Sequence, residues 1–254
     1  MQTTGNTILI TGGTSGIGRA LAEAFRKLGN QVIVAGRRKA LLDEVTAANP
    51  GMQSAVLDVQ NLPSLRAFAA SIVHQYPKLN VLINNAGIMK SENLGDGSDN
   101  SGAIDATVTT NLLAPLHLTA VLLPHLKKQP RSVVMTVSSG LAFMPMAVTP
   151  TYCATKAAIH SWTQSLRYQL RDTSVEVLEL VPPYVQTELQ GSRQASDPRA
   201  MPLHDFIDEV MNILKTEPNA KEILVQRVHA MRFAAEKGQP AYDEFFKTLN
   251  DRMH

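Results

Sequence analysis

Cysteine is nearly absent from this chain: its 254 residues include one, Cys153. No intrachain disulfide and no cysteine-based metal cluster can form, which fits a reducing compartment and predicts a cytoplasmic protein. An excess of charge of either sign is also missing. The 24 basic and 22 acidic residues give a formal +2, with the basic ones scattered. Neither nucleic acid nor an anionic membrane is therefore expected as a partner. Long hydrophobic runs are lacking too. Met1–Asn6 has no basic segment, and the apolar piece Ile8–Ile10 is cut off by Gly12-Gly13, too short for a secretory signal. The most apolar stretch, Leu112–Leu126, contains Pro115, His117, Pro124 and His125 and is not expected to span a bilayer.

What is present is alternation. Short β-branched runs at Thr7–Thr11, Val32–Ala35, Ser54–Leu57, Val81–Ile83, Ser132–Val137 and Val175–Val181 read as strands, with Glu222–Gln226 as a candidate seventh. Between them the pattern predicts helices to about Leu28, over Lys39–Ala48, from near Pro63, over Ile104–Leu126 with a bend near Pro115, and over Thr151–Arg171. Glu92–Gly102 reads as a flexible loop. Apolar strands separated by helices imply a parallel sheet covered on both faces, so the expected fold is a single doubly wound, Rossmann-type α/β domain over residues 1–254. A helical C-terminal tail over about 227–254 is marked by Val228, Met231, Ala235, Tyr242, Phe245, Phe246 and Leu249.

Three motifs carry chemistry. Thr11-Gly12-Gly13-Thr14-Ser15-Gly16-Ile17-Gly18 follows the first strand and opens the first helix, the setting of a dinucleotide-binding turn. There Gly12 allows the turn, Gly16 the approach of a pyrophosphate, and Gly18 close packing of helix on strand, while the helix N-terminus offers N–H groups to phosphates. The second strand ends in Ala35-Gly36-Arg37-Arg38, where an NAD site places an acidic residue about 20 positions after the glycines. Two guanidinium groups suit a 2′-phosphate, so NADP(H) is favoured and NAD(H) stays possible. The plain alternative is a solvated arginine pair at a helix start. Asn84-Asn85-Ala86-Gly87 follows the fourth strand, where amide side chains can crosslink neighbouring strands. Tyr152 and Lys156 share one helical face at i, i+4, with Ser139 ending the fifth strand. An ammonium beside a phenol favours the phenolate, which an acid–base tyrosine needs.

Taken together, Thr11–Gly18, Asp58-Val59, Asn84–Gly87, Asn111, Ser139, Tyr152–Lys156 and Pro182–Thr187 resemble the short-chain dehydrogenase/reductase superfamily in order and spacing across nearly the whole chain. The run from Ser138 to Phe143 and that from Tyr152 to His160 most resemble a bacterial branch whose best-known member is an oxidoreductase encoded with lipoteichoic-acid D-alanylation genes. The resemblance implies that Tyr152 is the general acid or base and that Lys156 bonds the nicotinamide ribose. Ser139 would bond the substrate carbonyl oxygen, and Asn111 would hold a relay water or satisfy a helix irregularity. Asp58 and Val59 would contact adenine, Asn85, Ala86 and Gly87 would line the adenosine side with Thr14, Ser15 and Ile17 at the phosphates, and Val185 and Thr187 would hold the carboxamide. The family pattern has Pro-Gly where this chain has Pro182-Pro183, so the loop under the nicotinamide is expected to run differently. A homodimer or homotetramer is implied, with the tail capping the site, meeting another subunit or covering the sheet edge.

Leu141, Phe143, Met144, Met146, Tyr184 and the segment from Glu188 to about Ile207 are expected to wall the substrate pocket. That lining favours a small neutral ketone or secondary alcohol, hence a carbonyl reductase or alcohol dehydrogenase. The rivals are a reductase of carrier-linked 3-ketones and a cofactor-binding sensor without turnover.

Overall fold

The computed structural model describes residues 1–251. Its strands are β1 (Thr7–Thr11), β2 (Gln31–Gly36), β3 (Gln53–Val56), β4 (Val81–Asn84), β5 (Ser132–Val137), β6 (Val175–Leu180) and β7 (Glu222–Ile223). All pair in parallel in one sheet, ordered β3-β2-β1-β4-β5-β6-β7. Period-two alternation sends neighbouring residues to opposite faces. Ile8, Ile10, Val32, Val34, Val81 and Ile83 join one buried cluster, whereas Leu9, Ile33 and Leu82 join another. This is the doubly wound sheet expected from the apolar runs.

The first cluster takes in α1 (Gly16–Lys27) and α2 (Lys39–Ala48), through Leu21, Phe25, Leu42 and Val45. The second takes in α3 (Leu62–Gln75), α5 (Ala114–Leu126) and α6 (Pro150–Gln169), through Leu65, Leu118, Leu122 and Leu166. Two elements depart from the expectation. The helix ahead of α5 begins inside the supposed loop, as α4 (Ser101–Val108), and meets α5 through a π-turn at Thr109–Leu113. The irregularity therefore centres on Asn111 rather than on Pro115, which sits in the first turn of α5 where its missing N–H is harmless. By length and mean hydropathy (1.4) the run Ser101–Leu126 could cross a membrane, but Leu118, Leu122 and Leu126 are packed inside the core.

The second departure follows β6. A short helix α7 (Ser192–Ala195) precedes α8 (Leu203–Thr216), whose Phe206, Ile207, Val210, Ile213 and Leu214 are buried in the first cluster. That i, i+1, i+4, i+7, i+8 spacing is an amphipathic helix signal, so Ile207 belongs to the core and not to a pocket wall. After β7 the chain forms α9 (His229–Arg232) and α10 (Gln239–Asp251).

Candidate active site

The strand order reverses between β1 and β4, which splays the following segments and opens a crevice at the carboxyl ends of the strands. A cleft of about 440 Å³ lies there. Gly12, Thr14, Ser15, Gly16, Ile17 and Gly18 line it, with Arg37, Arg38, Val59, Asn85, Ala86, Gly87, Ser139, Tyr152, Lys156, Val185 and Thr187. Packing requires glycine at three of these turn positions, Gly12, Gly13 and Gly18. A Cβ on Gly12, whose φ is +67°, would stand 2.8 Å from the Ala86 Cα, and one on Gly18 would meet the Gly12 carbonyl oxygen at 2.4 Å. A Cβ on Gly13, to which the sequence assigns no role, would stand 2.7 Å from the Val34 side chain. Gly16 faces open space apart from Thr187 at 3.4 Å. Ser15 makes no side-chain capping bond, which leaves first-turn N–H groups of α1 to a ligand.

The Asn84–Gly87 segment crosslinks strands as expected. Asn85 Nδ2 donates to the carbonyls of Thr11 and Gly12 at 3.0 and 3.2 Å, and Thr11 Oγ1 accepts from the Asn85 and Ala86 amides at 3.1 Å. Arg37 and Arg38 are exposed at the cleft rim and form no ion pair among the described residues.

Tyr152, Ser139 and Lys156 are 6%, 7% and 4% exposed, so their chemistry runs in a low dielectric. Lys156 Nζ donates to the Val137 carbonyl at 2.8 Å and lies 5.5 Å from the Tyr152 ring centroid. Burial pulls the Lys156 ammonium down to about 8, against the attraction of Glu179. Burial pushes the Tyr152 phenol up to about 12, against a hydrogen bond with Ser139. The expected lowering of the phenol by the lysine does not show among the protein's own groups, where burial dominates.

Asn111 lies in the π-turn. Its Oδ1 accepts from the Ile88 amide at 2.9 Å, and its Nδ2 donates to the Ile88 carbonyl at 2.8 Å and to Thr155 Oγ1 at 3.3 Å. A Cβ on Gly87 would stand 3.5 Å from Asn111 Oδ1 and 3.7 Å from Lys156 Nζ, so the three meet at one point. Asp58 does not line the cleft. It is exposed, and its Oδ1 accepts from the Gln60 amide at 3.0 Å, a local turn, while Val59 and Gln60 face inward.

The expected substrate wall is largely elsewhere. Met144 is fully buried, Met146 packs with Tyr152 and Cys153, and Phe143 stacks edge-on to His160 at 4.6 Å. Glu188 and Leu189, at the start of the expected segment, do line the cleft, joined by Met89, Lys90 and Pro183, and Tyr184 is bonded to Asp197 at 3.2 Å. Gln194 was not singled out from sequence; its Nε2 fixes Val185 and Thr187 through bonds of 2.8 and 3.2 Å. The tail packs on the loop after Ser139. Met231 and Val228 lie 2.9 and 3.0 Å from where a Gly140 Cβ would be, and Asn250 holds Pro145 and Ala147.

Residues 6–198 match the model of the short chain dehydrogenase family. The chain belongs to that family and is an oxidoreductase of its type. It is 42% identical over 253 residues to the oxidoreductase DltE of Bacillus subtilis (strain 168), covering 98% of each chain. In fold it resembles a short chain dehydrogenase of Burkholderia cenocepacia solved with NADP, at TM-score 0.83 and 23% identity, covering 97% of this chain and 99% of that one. A short-chain dehydrogenase/reductase of Burkholderia phymatum solved with NAD gives 0.78 and 22%, with 93% and 95% covered.

Proposed function

We propose that this protein is a nicotinamide-dependent carbonyl reductase, working on small neutral ketones or, in reverse, on secondary alcohols, with NADP(H) preferred. The observation that carries this reading is the convergence of Ser139, Tyr152 and Lys156 on the same cleft as the glycine turn. The glycine-rich Gly12–Gly18 turn and the α1 N-terminus fit a pyrophosphate, and Arg37 and Arg38, without an ion pair among the described residues, fit a 2′-phosphate. Solved relatives of the fold carry NADP in one case and NAD in another. Bound there, the nicotinamide supplies or takes up the hydride.

The chain's residues manage the proton. Tyr152 donates its phenolic proton to the carbonyl oxygen during reduction, and Ser139 Oγ donates a hydrogen bond to the same oxygen as negative charge gathers on it. The Lys156 ammonium stabilises the phenolate left behind. Asn111, with its amide committed to Ile88 and Thr155, fixes the Gly87–Ile88 backbone opposite Lys156 and lies where a relay water would reach that lysine. Met89 and Leu189 give the substrate end apolar surface, with the exposed Lys90 at its mouth. We also propose a homodimer or homotetramer.

The test follows oxidation of NADPH and NADH with a panel of ketones, diketones, 2-oxoesters and 3-ketoacyl thioesters. Tyr152→Phe should lower kcat by roughly 100- to 10,000-fold while cofactor still binds. A fully active Tyr152→Phe, or tight cofactor binding without turnover of any substrate by the wild type, would overturn the reading.

A further inference from the structure

Glu179 is a charged residue buried in a sheet, and the cleft residues do not include it. It lies on β6 in register with Thr136 of β5, on the face covered by α6, and its side chain is completely shielded. Carboxylates in such places are costly unless paired. Its Oε2 meets His160 Nδ1 at 2.8 Å, and its Oε1 has no hydrogen-bond partner among the described residues. Three cations act on it from two elements, Lys156 and Arg167 on α6 and Arg232 on α9, beside the His160 ring of α6. The other anion is Glu222 on β7, both of whose oxygens are taken by Arg232 at 2.6 and 3.1 Å. From β5 the neighbour is neutral, Thr136, tied to Thr163 at 2.8 Å. His160, Glu179 and Glu222 bring ligand atoms within 4.8 Å of one another, a spacing a metal could use. The Arg232 guanidinium already holds Glu222, so the cation there is the protein's own.

Lys156 precedes His160 by one helical turn on the same face of α6. Its Nζ bonds the carbonyl of Val137, the residue directly after Thr136. We propose that Glu179 is a positioning residue of this enzyme: fixed through His160, its carboxylate supplies the negative charge behind the Lys156 ammonium, which would otherwise be buried alone. Arg232 competes for the same carboxylate, so the segment after β7 sets how much of that charge Lys156 feels. What Lys156 then does for Tyr152 rests on the reading above; the charge relation does not.

The test is NMR titration of the full chain labelled at lysine Cε, with Lys156→Met to assign the signal. Lys156 should titrate at about 8 in the wild type. Glu179→Gln should move it down by about one unit, a tenfold loss of proton affinity, and Glu179→Asp should restore part of it. Arg232→Gln should move it up, and this opposite shift decides the matter if Glu179→Gln does not fold. In kcat/KM, loss in Glu179→Gln should concentrate on the alkaline side. An unmoved Lys156 titration in the folded variants, with activity lost equally at every pH, would reduce Glu179 to a structural role. Absence of ketone turnover with the titration shifts intact would overturn the proposed reaction and leave the Glu179 relation standing.

Discussion

Lys156 donates one hydrogen bond from a site that water barely reaches, and the sign of its effect on stability follows. Its folded pKa of about 8 lies below the ordinary 10.5, so between those values the unfolded chain binds more protons than the folded one. Stability then rises with pH through that window, and below about pH 8 the full burial cost is present. Lys156→Met should therefore stabilise the fold at pH 7 by about 1–2 kcal/mol, the lost bond to Val137 taking back part of the gain. The gain should shrink as melts are repeated towards pH 10. Tyr152 runs the other way: its raised pKa makes the folded state hold its proton longer, so stability falls with pH between 10 and about 12. A Lys156→Met protein equally stable to the wild type at pH 7 and at pH 10 would count against this account.

At the scale of elements, α10 is mostly exposed, and among the described residues its hydrogen bonds to the loop after Ser139 come from the amide of Asn250. Asn250 Oδ1 accepts from the Ala147 N–H at 2.6 Å, and Nδ2 donates to the carbonyls of Pro145 and Phe246 at 3.3 and 2.9 Å. These bonds pin the Pro145–Ala147 loop, which leads from Ser139 into α6. Asn250→Ala should cost about 0.5–1.5 kcal/mol, because it removes hydrogen bonds to the N–H of the exposed Ala147 and the carbonyl of the half-buried Pro145. It should raise the substrate KM with little change in cofactor affinity, a split that steady-state kinetics and cofactor titration can read. The π-turn plays a similar part at Asn111, where a widened helical turn brings the amide to Ile88. Such turns are rare and collect at functional sites. Amphipathic spacing alone marks that helix without revealing its widened turn.

At the scale of the whole molecule, the cleft joins residues from segments as far apart as Gly12 and Gln194. A ligand bound only by the folded state stabilises by about 2.7 kcal/mol at one hundred times its dissociation constant. For a domain of this size that is a rise in Tm of roughly 5–10 °C. NADPH should give the larger shift and NADH the smaller at equal concentration, and Arg37→Ser with Arg38→Ser should erase the difference. Equal shifts in the wild type would remove the preference for the phosphorylated cofactor.

The sequence by itself determined the parallel sheet, because apolar strands of Val, Ile and Leu alternating with helices have few other ways to bury both faces. It also marked the glycine turn, Ser139, Tyr152 and Lys156, whose residue types and spacing lie close together along the chain or at strand ends. Only the tertiary structure decided which side chains face the cleft. Asp58 turned back to its own loop, Met144 and Ile207 went to the core, and Lys90 and Met89 came in, because loop direction depends on long-range packing that local pattern does not carry. The pKa values fell in the same class. Spacing places an ammonium near a phenol, but only the folded packing fixes how much water is removed from each, and here that removal raises the phenol and lowers the ammonium.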